Sequence, residues 1–284
     1  MRQKVDSIVF APPAVAGGVK SLYSVCTWLN DLGRSTITPF SEPKLAEWFN
    51  HECELYDYSY PPDVLLYPEV YQPHAEGTNY HICFALGKRR LIESHADLTV
   101  CKSSEVLNWV REQHPSMPTA LILPSIDRSV FEYDGRSKKE TICYMTRPHK
   151  HPETASLLRR EYGDRVREII DVSEAEVAEA LKDAKVFVWR ADEMEGSPRP
   201  PKEALVAGCV VVGLESDLNE NYHTNFGIRC SNINEVIRMA GEALRMPVPT
   251  HEERSVIRDS TDEKHDWLEL FQRLKIAPRF QGML

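Results

Sequence analysis

Residues 189–216 read WRADEMEGSPRPPKEALVAGCVVVGLES. An apolar run stops at Trp189, a polar loop follows, and a helix is predicted to begin at Pro200 or Pro201, where the missing N–H removes a donor that has no helical partner anyway. Ala204, Leu205 and Ala207 give that helix an apolar face, and Gly208 ends it. The next stretch, Cys209 to Leu214, is β-branched and apolar, as a strand buried on both faces requires. Strand, loop, short helix and strand together are the repeating unit of a parallel sheet. Glu195 falls in the loop and Glu203 in the first helical turn, eight positions apart. Both then belong to the carboxyl end of a parallel strand, where open α/β sheets hold their ligands. A carboxylate there can accept two ribose hydroxyls, and a second can hold a sugar hydroxyl or balance charge near a reacting carbon. The helix dipole favours glutamate in a first turn for its own sake, so the pair taken alone also fits an ordinary helix start.

Outward from this stretch the alternation covers the chain. Strands are predicted at Ser7–Phe10, Ser35–Thr38, Val64–Tyr67, Ile82–Leu86, Leu98–Cys101 and Ala120–Leu123, and again at Thr141–Met145, Val166–Ile170, Val186–Trp189 and Val210–Gly213. Gly18–Leu32 has its apolar residues at three- and four-residue spacings, and Gly33 is expected to end that helix by adopting positive φ. Ser173 and Glu176 form a capping-box pattern ahead of a helix over 174–182. YDGRSKKE, residues 133–140, is polar and aperiodic and reads as the junction between two halves. At 284 residues the chain exceeds the ~150 expected of one domain. The expected organisation is an N-terminal Rossmann-like domain over 1–135, a C-terminal one over 136–260, and a helix over 261–284 returning to the first domain. In that tail Trp267, Leu268, Leu270, Phe271 and Leu274 share one helical face.

With 42% hydrophobic and 27% charged residues, each half can build a core unaided. The longest apolar runs are far shorter than the ~20 residues a transmembrane helix needs. The opening MRQKVDSIVFAPP passes directly into a strand and lacks a signal peptide's apolar core, so a cytoplasmic location is expected. Seven cysteines lie scattered, mostly inside apolar runs and with no CxxC pair, as buried reduced thiols do. A net charge of −9 argues against broad contact with DNA.

Two further stretches carry chemistry. In VFAPPAVAGGVKSL, Gly17 and Gly18 stand between a strand and a helix, so backbone N–H groups can approach an anion at a positive helix end; a tight turn is the plain alternative. Neither GxGxxG nor a Walker pattern is present, which removes support for NAD binding and P-loop hydrolysis. In TICYMTRPHKHPE, Arg147 and Lys150 follow the first strand of the second half. An Arg fork and a Lys ammonium there can hold a diphosphate and stabilise it as a leaving group, or form a solvated basic loop. His149 and His151 lack further ligands nearby, and no metal site is expected.

Glu195 and Glu203, with seven residues between them and AGCVVVG following, resemble the EGFG…EAMA.G.PVV signature of retaining GT-B glycosyltransferases, notably family 4. Other landmarks fall in the family's order: Gly17–Gly18, ADLTVCKS at 96–103 and LPSIDRSVF at 123–131. The resemblance runs from about Val5 to Leu274. It implies a GT-B architecture, two Rossmann-like parallel-sheet domains facing across a cleft. It further implies that Arg147 and Lys150 bind the donor diphosphate, Glu203 the ribose and Glu195 the donor sugar or reaction centre, with Gly17 and Gly18 beside the phosphates. Arg147, Lys150 and Glu195 would be the catalytic residues, and no metal or other cofactor would be needed. The chain departs from the family at SPRPPK, where Arg199 and Lys202 replace uncharged residues. It also has Leu86 and Gly87 where a histidine is frequent. Glu69 and His74 in YPEVYQPHAEG, with Lys20, are the remaining candidates for sugar or acceptor contacts, unless they are plain loop and surface groups.

The implied reaction is transfer of a hexose, with retention, from a UDP- or GDP-type sugar to an acceptor hydroxyl on a glycan, lipid, small molecule or modified nucleic acid. A nucleotide-sugar epimerase, a non-catalytic nucleotide-sugar-binding module and a DNA glycosyltransferase are the rivals. Trp48, Tyr56, Tyr58, Tyr60 and Tyr71 cluster in the first half, where aromatic rings either stack on an acceptor sugar or pack the loops.

Overall fold

The computed structural model describes residues 5–14, 16–39, 43–60, 62–71, 80–87, 96–145, 151–191, 197–218 and 226–274. The chain forms two compact units, one of residues 1–124 with 261–284, the other of residues 125–260.

The first unit holds a parallel sheet of seven strands: β1 (Ser7–Phe10), β2 (Ser35–Thr38), β3 (Glu54–Leu55), β4 (Val64–Pro68), β5 (Tyr80–Ala85), β6 (Leu98–Cys101) and β7 (Thr119–Leu121), in the order β3-β2-β1-β4-β5-β6-β7. Helices α1 (Gly17–Leu29) and α2 (Ser104–Gln113) cross between strands. Period-two alternation sorts the side chains onto the two faces. Val9, Val64, Leu66, Ile82, Phe84 and Val100 pack with the apolar stripe of α1, whereas Ile8, Phe10, Leu65, Tyr67, Cys83 and Cys101 pack with Val106 and Val110 of α2. The final helix of the chain, Ser260–Arg273, also belongs to this unit. Its Trp267 is fully buried and meets Phe84 edge-on, with ring centroids 5.1 Å apart. Lys264 adds an ion pair to Asp31 at 2.7 Å.

The second unit starts with α3 (Arg128–Phe131) and holds a parallel sheet of five strands: β8 (Lys139–Met145), β9 (Val166–Ile169), β10 (Ala184–Trp189), β11 (Val210–Leu214) and β12 (Ile228–Cys230), ordered β12-β11-β10-β8-β9. Its helices are α4 (Pro152–Tyr162), α5 (Glu174–Asp183), α6 (Pro200–Val206), α7 (Ile233–Ala243) and α8 (His251–Ser255), which makes the final helix α9. Cys143, Phe187, Trp189 and Val211 face α5 and α6, while Ile142, Tyr144, Val186, Val188, Val210 and Val212 face α4 and α7. The Ser173–Glu176 capping box opens α5 as its sequence predicts.

Two sequence expectations are corrected. Gly33 has no positive φ. It is required for close approach, because a β-carbon there would lie 2.2 Å from the Val5 carbonyl oxygen; α1 has already ended at Leu29. The chain divides after Pro124 rather than within residues 133–140. Ile126 and Phe131 are core residues of the second unit, and Tyr133 donates its N–H to the Val206 carbonyl, so the polar stretch is a surface loop of that unit.

All seven cysteines are free and buried. Burial pushes the thiols of Cys101 and Cys143 up to about 12 and those of Cys209 and Cys230 up to about 11. Only a thiolate attacks a disulfide reagent, so these four groups are inert in the native state at pH 8. The expected result is little reaction of Cys101, Cys143, Cys209 and Cys230 with a chromogenic disulfide over minutes, and full reaction in denaturant. Rapid native labelling at any of the four, located by mass spectrometry, would contradict it.

Candidate functional site

In a doubly wound sheet the crevice opens where the strand order reverses, because adjacent crossovers there leave toward opposite sides. In the first unit the reversal lies between β1 and β4, and in the second between β8 and β10.

At the first, Gly17 and Gly18 are the opening residues of α1, whose N-cap Ala16 supplies no side-chain acceptor. A β-carbon on Gly18 would come within 2.8 Å of Leu86 Cδ1, so the bare glycine lets the segment leaving β5 close over the helix start. Glu69, directly after β4, is buried and accepts the Leu86 N–H at 3.0 Å. Burial raises the Cys83 thiol, and the neighbouring Glu69 carboxylate raises it further. Lys102, just beyond β6, is also buried; its Nζ donates to Ser21 Oγ at 3.1 Å, and that hydroxyl donates to the Gly17 carbonyl at 3.1 Å. Lys20 is buried on the same helix. Thus Gly17, Gly18, Glu69 and Lys20 belong to the elements around one strand-order reversal, joined by Lys102 and Ser21, which the sequence reading did not single out. The signal was a basic residue placed immediately after a fully buried strand.

At the second reversal, β8 ends at Met145 and β10 at Trp189. His151 is the N-cap of α4 in left-handed backbone geometry, φ 51° and ψ 45°. Its Nε2 lies 3.0 Å from the Ala191 carbonyl oxygen, which can only accept, so this nitrogen carries a proton. Arg190 donates Nε–H to Asp217 at 2.8 Å and a terminal N–H to Thr154 at 3.1 Å. Together these contacts tie the start of α4 to the strand end of β10. Neither Arg190 nor Asp217 was singled out from the sequence, although Arg190 again directly follows an apolar strand.

Helix α6 then begins with Pro200 and Pro201, and every one of its residues is buried. Glu203 sits in its first turn; Arg199 Nε lies 3.4 Å from Glu203 Oε1, and Lys202 donates to Ser197 Oγ at 2.8 Å. Gly208 closes the helix at φ +82°, where a β-carbon would press within 2.9 Å of the Tyr133 ring. A buried carboxylate with a cation beside it is suited to binding paired hydroxyls. Arg147, Lys150, Glu195 and His74 lie outside the described residues. Among the described residues no group of acidic, histidine or cysteine side chains has the makings of a metal site, and no helix is long and apolar enough to cross a membrane.

The aromatic cluster of the first half divides between the two ends of the sheet. Trp48 donates to the Ala14 carbonyl and Tyr71 packs on Phe10, both just past the carboxyl end of β1. Tyr60 instead donates to the Ser7 carbonyl and meets Thr36, at the amino ends of β1 and β2, and Tyr56 meets the Tyr60 ring edge-on and the Tyr58 ring at a tilt. Tyr60 is therefore removed from the crevice end, because the chain must return to the amino edge before β4 can run parallel to β1.

No protein-family model matches this chain, and no curated protein sequence does. Solved structures do. Sucrose-phosphate synthase from Thermosynechococcus elongatus superposes with a TM-score of 0.65 at 13% identity, over 98% of this chain and 100% of that one. AviGT4, a glycosyltransferase involved in avilamycin A biosynthesis, gives 0.60 at 14% identity over 95% and 98%. HepE from Anabaena, in complex with UDP and glucose, gives 0.56 at 10% identity over 95% and 97%. The likeness spans almost the whole of each chain and shows the fold: two Rossmann-like parallel-sheet domains of the GT-B architecture.

Proposed function

We propose that this chain is a glycosyltransferase that moves a hexose from a nucleoside diphosphate sugar, of UDP or GDP type, to an acceptor hydroxyl, with retention and without a divalent metal. The observation that carries the reading is Glu203: a buried carboxylate in the first turn of the helix that follows β10, beside the strand-order reversal of the second sheet. In this reading Glu203 accepts the ribose hydroxyls, Arg147 and Lys150 neutralise the diphosphate, and Glu195 faces the donor sugar. Gly17 and Gly18 present backbone N–H groups, while Glu69, Lys20 and His74 contact the sugar or the acceptor. The departing phosphate oxygen takes the acceptor proton, so retention needs no strong protein base. Two cations on the diphosphate perform the charge stabilisation that a metal supplies elsewhere. The fold supports this reading, since HepE shares it and holds UDP and glucose. The seven free thiols support a reducing, cytoplasmic setting.

The test is a thermal-shift panel of UDP- and GDP-sugars in EDTA, followed by incubation of the stabilising sugar with an acceptor panel. A ligand at 100 times its Kd adds about 2.7 kcal/mol to native stability, which is readily seen. The expected product carries the donor's anomeric configuration by NMR. Inversion or a need for added metal removes those two features. A product formed without acceptor identifies an epimerase, and binding without turnover a silent module. No shift with any nucleotide sugar overturns the reading altogether.

A further inference from the structure

Arg199 is the N-cap of α6 and already takes helical backbone angles, φ −77° and ψ −39°, although a residue before proline more often has extended backbone. Four residues on, Glu203 therefore lies one turn above it on the same helix face. The guanidinium Nε meets Glu203 Oε1 at 3.4 Å, and the two side chains are 6% and 9% exposed. Lys202, although adjacent in sequence, sends its ammonium to Ser197 instead. Among the described residues the side chains of Arg199 and Glu203 have each other and no further hydrogen-bond or ion-pair partner. Their pairing is thus a closed two-residue device, separate from the Arg190–Asp217–Thr154 ties at the start of α4.

A carboxylate has about four acceptor positions, two on each oxygen. An Arg fixed to one oxygen stops rotation of the group and leaves the other oxygen for hydroxyl donors. It also keeps a negative charge tenable in a buried place, where an unpaired carboxylate is costly. We infer that Arg199 is a positioning residue that holds the Glu203 carboxylate for the nucleotide ribose, and thereby makes the pocket select a ribonucleotide over a 2′-deoxyribonucleotide donor. The inference rests on the reading of Glu203 as the ribose acceptor. It assigns a use to the charged departure in SPRPPK, where the resembling family has an uncharged residue. Arg199 touches no reacting atom in this scheme. It acts through Glu203 alone.

The experiment measures binding of UDP, 2′-deoxy-UDP, GDP and 2′-deoxy-GDP by calorimetry to the wild type and to Arg199→Met, Arg199→Lys and Glu203→Gln, with thermal melts to show that each variant is folded. For the nucleotide base that binds, the wild type is expected to favour the ribo form by about tenfold or more, as a hydrogen bond to a charged group provides. Arg199→Met and Glu203→Gln should bring that ratio to within about twofold. Arg199→Lys should fall between, because an ammonium on a flexible stem fixes the carboxylate less well than a guanidinium. A structural role alone would lower the melting temperature, or weaken both sugars equally, and leave the ratio intact. A wild-type ratio in both Arg199 variants, with Glu203→Gln collapsed, overturns the inference and leaves the ribose reading standing. Equal binding of the two sugars by the wild type, or none, overturns the reading beneath it. If Arg199→Met does not fold, Arg199→Lys decides: a ratio reduced at least threefold supports the inference, and an unchanged ratio refutes it.

Discussion

Replacing Glu203 by alanine is expected to weaken donor binding by about tenfold to a hundredfold and to lower stability by about 3 kcal/mol. The first effect follows from losing hydrogen bonds to a charged group, each contributing about 1.5–3 kcal/mol. The second follows from Arg199, whose side chain is 6% exposed and has Glu203 as its ion-pair partner. Removing one member of a buried pair leaves the other charge uncompensated, at a cost of about 3–5 kcal/mol. The lower end applies because among the described residues no other charged side chain pairs with Arg199 or Glu203. Urea unfolding at pH 7 measures the second effect, and titration with the stabilising nucleotide sugar the first. Glu203→Gln separates charge from packing: it keeps the volume and one acceptor oxygen, so whatever stability it loses reports the uncompensated Arg199 charge, and the further loss in Glu203→Ala reports the missing side-chain volume. A folded Glu203→Ala protein with unchanged donor affinity takes Glu203 out of the donor site.

Much of this fold was legible because parallel strands buried on both faces are short runs of β-branched or apolar residues. β1, β2 and β6 match their predicted spans, as does α5 to within one residue at its C-terminal end. The edges were not legible. β3 is two exposed residues, Glu54 and Leu55, and β12 is the three residues Ile228–Cys230, so neither presents a buried run to read. β8 begins at Lys139, inside the polar stretch read as a linker, because an exposed strand start needs no apolar side chains. Gly33 shows a different limit: glycine signals positive φ and close approach identically, and the Val5 backbone that demands it lies 28 positions away.

The candidate site was legible at its helix starts and less so at its strand ends. Gly17, Gly18 and Glu203 declared themselves by their position before or within a first helical turn. Lys102 and Arg190 did not, since a single basic residue after a strand looks like any solvated loop until its partners are known. Those partners, Ser21 for Lys102 and Asp217 with Thr154 for Arg190, are distant in sequence and met only through the sheet order. Aromatic clustering in sequence misled for the same reason, because Tyr60 and Tyr71, 11 positions apart, lie at opposite ends of one sheet.

Lys150→Ala is expected to show the complementary kinetic pattern to Glu203→Ala. In the proposed reaction the sugar–phosphate bond breaks before the acceptor bond is fully made, so negative charge grows on the departing diphosphate. A fixed ammonium interacts more strongly with that growing charge than with the ground-state donor, and an interaction of this kind raises kcat rather than affinity alone. Loss of one such electrostatic contact costs about 10²–10³ in turnover. Donor affinity should fall much less, by under about tenfold, since Arg147 would still hold the diphosphate. Lys150→Arg restores the charge with a planar fork in place of a compact point, and is expected to recover part of the turnover. Steady-state kinetics with the identified donor and acceptor separate the two variants: Lys150→Ala lowers kcat and kcat/KM together, whereas Glu203→Ala acts chiefly on the donor KM. Wild-type kcat in Lys150→Ala would mean that the leaving diphosphate is stabilised by other groups, and the assignment of Lys150 to catalysis would fall.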